Sequence, residues 1–283
     1  IKKDISLISK KKKFKDLNFR STPCIMGILN LTPDSFSDGG KYNKKLLGYN
    51  HAIKLYKDGS DIIDVGGEST RPYAKDISST EEWKRIELTL AKLKKKNIPI
   101  SLDSRKSLIM KKGISLGVKL INDISGLKFD KDSIKIIKNK NIPFIINHIQ
   151  GNPLNMQSKP KYNNVLLDIY DYFQERIKFI RTSGIKHNNI IIDPGIGFGK
   201  NLKHNMNLIN NISIFHSLGF PIMLGTSRKR FIKDLSGVND SKERLGGTIA
   251  SNLFVIMQGV QILRVHDVNE VNQSIKVFKS LKF

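Results

Sequence analysis

The chain has 283 residues, of which 39% are hydrophobic and 26% charged. This composition is ordinary for a globular protein and excludes wholesale disorder, while the length admits either two small domains or one large barrel. The 49 basic against 25 acidic residues give a net charge of +24. Because these basic residues are mostly lysine and occur in nearly every segment, the excess favours solvated positions over a specific nucleic-acid site, although it should attract anionic substrates.

The N-terminal segment, residues 1–20, is rich in lysine, and we interpret it as a basic arm ahead of one domain spanning residues 21–283. No apolar segment follows the arm, so it does not resemble a secretory signal. No run of about 18 apolar residues occurs, so we expect no membrane partner. The single cysteine, Cys24, lies in an apolar stretch. It fits a buried thiol in a reducing compartment, and we expect a cytoplasmic protein.

Eight short β-branched runs alternate with longer amphipathic segments along the rest of the chain. The predicted strands are 24–30, 61–65, 98–103, 118–123, 142–148, 190–193, 221–226 and 260–266. The predicted helices are 46–57, 81–96, 107–116, 133–140, 165–183, 206–218, 243–258 and 269–281. Eight such units in about 250 residues, with no linker between them, predict an α/β fold with a single (β/α)₈ TIM barrel rather than an open doubly wound sheet.

Polar residues close the predicted strands, at the end where a (β/α)₈ barrel carries its chemistry. They are Asn30, Asp64, Asp103, Asn122, Asp123, His148, Asp193, Thr226, Ser227, Arg264 and His266. Any one of them alone fits a helix cap or a turn, but polar closure of eight strands indicates a functional face. Asp103, Asn122 and Asp193 offer carboxylate and amide acceptors for a flat ligand edge of N–H donors. Glycosidase chemistry would also use paired carboxylates, but it does not require phosphate-binding groups.

Two predicted βα loops are longer than a connection requires and would lie over the C-terminal face of the barrel. The first, residues 32–40, carries Phe36 among glycine, serine and aspartate, which is typical of a functional lid. The second, residues 66–72, combines glycines and hydroxyls with Arg71, a pattern suited to phosphate. The second loop therefore favours a phosphorylated substrate.

Basic groups on the last two predicted strands point to the same substrate class. Lys229 follows the seventh strand, and Arg264 and His266 share one face of the eighth, where barrels commonly bind phosphate. The six histidines show no pair at metal-ligand spacing, and one cysteine excludes a Cys-rich zinc site. The expected metal is Mg²⁺, held loosely by Asn30 and by phosphate oxygens of the substrate.

The chain resembles the dihydropteroate synthase family from about Pro23 to its end. The motifs that carry the resemblance are ILNLTPDSFSDGG (28–40), DVGGESTRP (64–72), LDS (102–104), INDISG (121–126), HIQGNP (148–153), DPGIGFGK (193–200), GTSRKRF (225–231) and LRVHDV (263–268). The resemblance implies condensation of (7,8-dihydropterin-6-yl)methyl diphosphate with 4-aminobenzoate, giving 7,8-dihydropteroate and diphosphate in folate biosynthesis. We expect an SN1-like transfer that begins with Mg²⁺-assisted loss of diphosphate.

Matching positions imply a role for each motif residue. Pterin contacts are implied for Asp103, Asn122, Asp193, Phe198 and Lys229. Diphosphate contacts are implied for Asn30, Thr70, Arg71, Arg264 and His266, with Asn30 also the metal ligand. Aminobenzoate contacts are implied for Phe36, Thr70, Arg71, Pro72, Ser227 and Lys229. The catalytic group would comprise Asn30, Asp103, Lys229, Arg264 and His266. A homodimer through the late helices is implied in the same way.

The sequence departs from the family pattern at three places. Asn147 and Ile149 flank His148 where methionines are common, Tyr73 replaces a small residue, and Ile196 replaces a common phenylalanine. The first and third could reshape the pterin wall, and Tyr73 could alter the aminobenzoate entrance or sulfonamide sensitivity. None removes a group that the chemistry needs.

Two alternatives remain at this stage. A pterin-dependent methyltransferase module would share the barrel but would have no use for a diphosphate clamp such as Arg71, Arg264 and His266. A non-enzymatic basic binding protein would explain the net charge but not the polar strand ends. Its nucleic-acid binding would be lost steeply with modest salt.

Overall fold

The computed structural model describes residues 13–14, 17–18, 23–32, 44–71 and 73–281. Two short strands, β1 (Lys13–Phe14) and β2 (Leu17–Asn18), pair in antiparallel fashion within the predicted basic arm. The lysine-rich composition gave no sign of this pairing.

Eight parallel strands form one sheet that curls into a nearly closed barrel. They are β3 (Cys24–Asn30), β4 (Ile62–Gly66), β5 (Ile100–Asp103), β6 (Leu120–Asp123), β7 (Phe144–Asn147), β8 (Ile190–Asp193), β9 (Met223–Leu224) and β10 (Ile262–Val265). The hydrogen-bonded order runs from β8 back to β3 and then through β10 to β9. A single parallel bridge between Ile192 and Ile222 joins the two edges, and Ile192 N donates to Pro221 O at 3.0 Å. The predicted (β/α)₈ barrel is therefore confirmed.

Nine α-helices lie among the described residues, and most follow the predicted pattern. They are α1 (Lys44–Lys57), α2 (Ser79–Lys95), α3 (Ser107–Ser115), α4 (Asp132–Lys140), α5 (Val165–Thr182), α6 (Leu202–Asn210), α7 (Arg230–Ser236), α8 (Leu245–Met257) and α9 (Val268–Ser280). Helix α7 was missed because its seven residues, with buried Phe231 and Ile232, are too short to repeat an apolar face. None of the helices in the described ranges has the length and hydropathy needed to cross a membrane.

The helix predicted over residues 206–218 was wrong, because the α-helix ends at Asn210 and a 3-10 helix, Ile212–Leu218, follows. The side-chain amide of Asn211 donates to the backbone oxygen and to Oδ1 of Asn207, both at 2.9 Å. Such local bonds compete with helical ones, and the β-branched Ile212 that follows disfavours an α-helix. The seventh strand is also shorter than predicted, with only Met223–Leu224 paired as a strand.

Apolar residues of the strands belong to two clusters, because alternate side chains along a strand point to opposite faces of the sheet. The larger cluster packs strand residues such as Ile63, Val65 and Leu102 against the helices. The smaller one fills the barrel interior with Cys24, Met26, Ile62, Leu120, Ile145, Ile191, Met223 and Ile262. Because side chains alternate along a strand, the residue two positions beyond each interior side chain also points inward. This geometry decides which strand-end residues meet.

Candidate functional site

Polar residues form an inward-facing ring directly above the apolar interior of the barrel. They are Asp64, Asp103, Asn122, Asn147, Asp193 and Arg264, from six different strands. All except Asp103 stand two positions beyond a member of the interior cluster, and Asp103 stands two beyond the buried Ser101. The structure therefore brings together the predicted acceptors Asp103, Asn122 and Asp193 and the predicted cation Arg264.

Arg264 ties two carboxylates of this ring together. Its Nε lies 2.6 Å from Asp64 Oδ2, and its Nη2 lies 2.8 Å from Asp103 Oδ2. Burial opposes the charge of Arg264, but Asp64 and Asp103 outweigh it and raise the pKa of the guanidinium, so Arg264 stays protonated. Burial raises the pKa of Asp103 to about 7, against the influence of Arg264 and with that of Asp64. Asp103 is therefore a carboxyl group that can change its charge near neutral pH.

Lys229 and Phe198 lie next to each other near Asp193, which is a member of the ring. Asp193 Oδ1 accepts a hydrogen bond from Gly195 N at 2.8 Å, which fixes the carboxylate at the start of the following loop. Lys229 Nζ lies 4.0 Å from the centroid of the Phe198 ring, a cation–π contact. Burial and then Arg264 lower the pKa of Lys229 to about 8, while Asp193 and Asp103 oppose that shift. Three of the five residues predicted to contact the pterin, Asp193, Phe198 and Lys229, are thus neighbours.

Ser227 and His266 bind each other at the rim of the barrel. His266 N donates to Ser227 Oγ at 3.2 Å, and Ser227 Oγ lies 3.0 Å from His266 Nδ1. Since Ser227 Oγ accepts from the backbone, we infer that its hydroxyl proton points to Nδ1 and that the imidazole proton is on Nε2. Burial and then Arg228 lower the pKa of His266 to about 3. His266 is consequently a neutral N–H donor at physiological pH.

The second long loop is held by a buried network of ion pairs that the sequence analysis missed. Glu68 Oε2 accepts from Arg105 Nε at 2.9 Å, and Glu68 Oε1 accepts from Lys106 Nζ at 2.8 Å. Burial works against the ionised form of Glu68, but these two hydrogen bonds outweigh it and lower the pKa of Glu68. The network places Thr70, half-buried, and Arg71, exposed, at the tip of the loop.

Arg105 also reaches the loops on either side. Its Nη2 lies 2.6 Å from Asp76 Oδ1 near the end of the second loop, and its guanidinium lies 4.1 Å from the ring centroid of Phe129 in the loop after β6. Arg105 therefore links three successive βα loops. Phe36 and Pro72, which were predicted to contact aminobenzoate, lie outside the described residues, as does nearly all of the first loop.

His148 was predicted to close the fifth strand towards the site, but Asn147 occupies that inward position. His148 faces Lys200 instead, with its Nδ1 2.9 Å from Lys200 Nζ. Lys200 Nζ also donates to the backbone oxygens of Gly195 and Phe198, both at 2.9 Å. Lys200 thus fixes the loop that carries Phe198. Gly195 has φ +71°, and a Cβ there would stand 2.0 Å from His148 O, so only glycine fits.

Asn30 ends β3 and is half-buried, with one neutral amide oxygen to offer a metal. Within the described ranges, no group of three His, Cys, Asp or Glu side chains could hold a metal ion. Hard oxygen donors suit Mg²⁺, and this ion commonly takes one or two protein ligands, several waters and substrate phosphates. Asn30 fits a metal that arrives with the substrate, and it does not fit a permanently bound one.

Asn147 was missed as an inward-facing residue, although the sequence carries a signal for it. Asn147 stands two positions after the interior Ile145, just as Asp64, which was predicted at the end of its strand, stands two positions after the interior Ile62. Strict alternation along each strand would have placed both of them in the ring. Glu68, Arg105 and Lys106 carry no comparable signal, because their pairing depends on how neighbouring loops pack.

Comparison with known proteins agrees with this site. A family model described as pterin binding enzyme matches residues 26–266. The chain is 41% identical over 265 residues to the dihydropteroate synthase of Neisseria meningitidis serogroup B, covering 92% of this chain and 93% of that protein. It is 40% identical over 261 residues to the dihydropteroate synthase of Escherichia coli K12, covering 92% of each.

Solved structures agree in the same way. The Xanthomonas albilineans dihydropteroate synthase with 4-aminobenzoic acid superimposes with a TM-score of 0.87 at 32% identity, covering 92% of this chain and 93% of that one. The Yersinia pestis dihydropteroate synthase in a sulfonamide drug complex gives a TM-score of 0.88 at 37% identity, covering 93% and 95%. The chain therefore belongs to the pterin-binding enzymes and, among them, to the dihydropteroate synthases, which are transferases.

Proposed function

We propose that this enzyme condenses (7,8-dihydropterin-6-yl)methyl diphosphate with 4-aminobenzoate to give 7,8-dihydropteroate and diphosphate. The observation that carries the proposal is the ring itself, in which Asp103, Asn122 and Asp193 present acceptors beside the cations Arg264 and Lys229. A flat heterocycle with an edge of N–H donors matches those acceptors, and a diphosphate matches the cations. The X. albilineans enzyme, in the structures described for it, binds 4-aminobenzoic acid and 7,8-dihydropteroate.

The pterin would lie on the acceptor side of the ring. Asp193, held by Gly195 N, and Asn122, held by Asp64, present oxygens whose directions are fixed before the ligand arrives. Such preorganisation reduces the cost of ordering side chains on binding. Phe198 would contact the pterin. Lys229, whose ammonium group lies over the phenyl ring of Phe198, would supply a positive charge next to the pterin.

The diphosphate would lie towards the rim. His266 would donate from Nε2, and Arg264, Arg71 and Thr70 would add charge and hydrogen bonds. As the bond between the pterin methylene and the diphosphate oxygen breaks, its electron pair leaves with the oxygen, and these donors stabilise the growing negative charge. The methylene cation that remains is conjugated with the pterin ring.

The aniline nitrogen of 4-aminobenzoate then attacks that methylene carbon and forms the new C–N bond, and the nitrogen passes one proton to the departed diphosphate or to solvent. A nitrogen lone pair on an aromatic ring needs no strong base for this step. Closure of the two long loops would exclude water, which would otherwise compete as a nucleophile. We assign the aminobenzoate side to Phe36, Pro72, Thr70, Arg71, Ser227 and Lys229. Ser227 would act there through its hold on His266.

Mg²⁺ would be held by Asn30 and by the substrate diphosphate, and when bound it would neutralise charge on the leaving group. Asn30 contributes an oxygen at the end of β3, level with Gly66 and Asp103 on the neighbouring strands. Two further expectations belong to this proposal. We expect a cytoplasmic enzyme and a homodimer that pairs through its late helices.

The proposal is tested by diphosphate release from dihydropterin-methyl diphosphate and Mg²⁺, with and without 4-aminobenzoate, while 7,8-dihydropteroate is followed by chromatography. Equal amounts of both products, formed only when aminobenzoate is present, are expected. Binding of the pterin without any product would contradict the proposal and favour a methyltransferase-type barrel. Salt-sensitive binding of nucleic acid without pterin binding would favour a basic binding protein.

A further inference from the structure

A chain of side-chain hydrogen bonds crosses the floor of the ring and ends at Asn147. Asn147 Nδ2 donates to Asn122 Oδ1 at 3.1 Å, and Asn122 Nδ2 donates to Asp64 Oδ2 at 3.0 Å. Arg264 Nε donates to that same Asp64 oxygen at 2.6 Å. Asn147 and Asn122 are each 4% exposed and Asp64 is fully buried, while the Arg264 side chain is 17% exposed.

The Asp64 carboxylate, at the centre of this series of hydrogen bonds, determines which way the side-chain amides of Asn122 and Asn147 are oriented. Asp64 accepts from Arg264, so the atom that Asn122 turns towards Asp64 must be its NH₂ group. Asn122 then presents its oxygen to Asn147, so Asn147 must in turn donate with its own NH₂ group. No described donor approaches the oxygen that remains, Asn147 Oδ1. The chain therefore leaves one fixed amide oxygen at its end.

The backbone at Asn147 is held as firmly as the side chain. Tyr172 donates its hydroxyl to Asn147 O at 2.9 Å, and the next residue, His148, donates its N–H to Asp193 O at 3.0 Å. Asn147 is paired in register with Asp193 on the neighbouring strand, and both stand two positions beyond an interior isoleucine. Asn147 and Asp193 are consequently neighbours on the inward face of the barrel.

We propose that Asn147 is a specificity-determining residue, whose side-chain oxygen reads an N–H donor of the bound heterocycle and whose NH₂ group fixes Asn122 in its accepting orientation. The inference rests on the proposed pterin substrate and adds Asn147 to the residues that recognise it. An apolar side chain at this position would supply neither function. It would also leave Asn122 Oδ1 without its donor in a buried place, which weakens binding of a ligand that depends on Asn122.

The test compares two fluorescent probes, 6-hydroxymethylpterin and 6-hydroxymethyllumazine, which carries a carbonyl where the pterin carries its amino donor. Their Kd values are measured by fluorescence titration for the wild-type protein, for Asn147→Leu, which keeps the side-chain shape, and for Asn272→Leu. Asn272 is the matched control, because its Nδ2 donates to Asp58 O at 3.0 Å, just ahead of β4 and away from the ring.

We expect Asn147→Leu to weaken pterin binding by about tenfold or more and to weaken lumazine binding much less, so that the preference for pterin falls. Asn272→Leu should leave both values unchanged. An unchanged preference, or an equal loss for both probes, would overturn the inference. If Asn147→Leu does not fold, Asn147→Met is measured in its place. Failure of the wild-type protein to bind 6-hydroxymethylpterin would instead overturn the proposed function, and the inference with it.

Discussion

Arg264 and Asp64 lie 200 positions apart in the chain, yet Nε of the arginine is 2.6 Å from Oδ2 of the aspartate. Asp64 has no solvent-exposed surface, and Arg264 extends from it to Asp103 at 2.8 Å. A single guanidinium therefore contacts two acidic side chains at the centre of the barrel. Under the proposed function, the same guanidinium would also stabilise the departing diphosphate, so one residue would serve both stability and the reaction.

Replacement of Arg264 should affect stability and rate together. Arg264→Ala leaves Asp64 buried without a cation, which we expect to cost about 3–5 kcal/mol in the free energy of unfolding. The rate of diphosphate release should fall by about a hundredfold or more, because a donor to the leaving group is lost. Arg264→Lys should recover part of the stability but little of the rate, since lysine cannot form the two-pronged contact. Urea unfolding and product assays measure both effects. Weaker aminobenzoate binding with intact diphosphate release would refute the assignment.

Arg105 should matter for aminobenzoate and not for pterin, because it holds the second loop through Glu68 and Asp76 but does not reach the ring. We expect Arg105→Ala to raise the KM for 4-aminobenzoate by about tenfold, while the Kd for 6-hydroxymethylpterin changes less than about twofold. Arg105→Lys should recover part of the loss. Gln261→Ala is the control, since buried Gln261 accepts from Ile222 N at 2.8 Å at the other end of the barrel. A parallel rise of KM in Gln261→Ala would show that Arg105 acts only through general stability.

Lys229 should give substrate binding an alkaline limit. Its pKa is lowered to about 8 by burial, so the charge is lost as pH rises through this value. We expect affinity for the diphosphate substrate to fall about fivefold between pH 8 and pH 9. In Lys229→Arg, which stays charged, this fall in affinity between pH 8 and pH 9 should disappear. If the same fall in affinity persists in Lys229→Arg, the group that titrates is not Lys229.

Stability of the substrate-free protein should change in the opposite sense with pH. Because the pKa of Lys229 is lower in the folded than in the unfolded protein, charging this lysine disfavours folding at every pH below about 8. That penalty is relieved as pH rises from about 8 towards the ordinary lysine value. The wild-type protein should therefore gain stability relative to Lys229→Met over this range, measured by urea unfolding. A constant difference would contradict the lowered pKa.

His266 should be neutral and protonated on Nε2 throughout the physiological pH range. Its pKa is lowered to about 3, chiefly by burial, and Ser227 occupies Nδ1. Heteronuclear NMR of labelled histidine should show the Nε2–H tautomer between pH 5.5 and pH 8. Ser227→Ala removes the partner of Nδ1, which we expect to cost about 1–3 kcal/mol of stability and to mix the two tautomers. Titration of His266 near pH 6.5 would contradict this description.

The proposed homodimer predicts the effect of one surface charge. Leu235, Phe254, Met257 and Val277, on the last three helices, are large apolar side chains that are at least 38% exposed. Met257→Glu should raise the dissociation constant of the dimer by about tenfold or more, because a charge is buried when the helices pair. Analytical ultracentrifugation measures this, with Leu108→Glu on α3 as the control, since Leu108 is 48% exposed far along the chain from these helices. Equal dissociation constants for Met257→Glu and Leu108→Glu would show that the last three helices do not form the dimer interface.

The barrel was predictable because its signals are local. Alternating apolar and amphipathic segments reflect the periods of strand and helix, and those periods can be counted in the sequence. The same counting failed at Asn211, where side-chain hydrogen bonds interrupt an apolar pattern, and at α7, which is too short to show one. The site residues Asp103, Asn122, Asp193, Lys229 and Arg264 were predicted from their place at strand ends and from motif resemblance.

The sequence by itself determined the fold, the polar closure of the strands and the family to which the chain belongs, because each depends on the order of residue types along the chain. Only the tertiary structure decided that Asp64 is the partner of Arg264, that Asn147 donates to Asn122, and that Arg105 binds the second loop. These relationships depend on strand register and on contacts between distant loops. A shift of one residue in register reverses the face of every side chain, and local patterns do not specify which distant side chains meet.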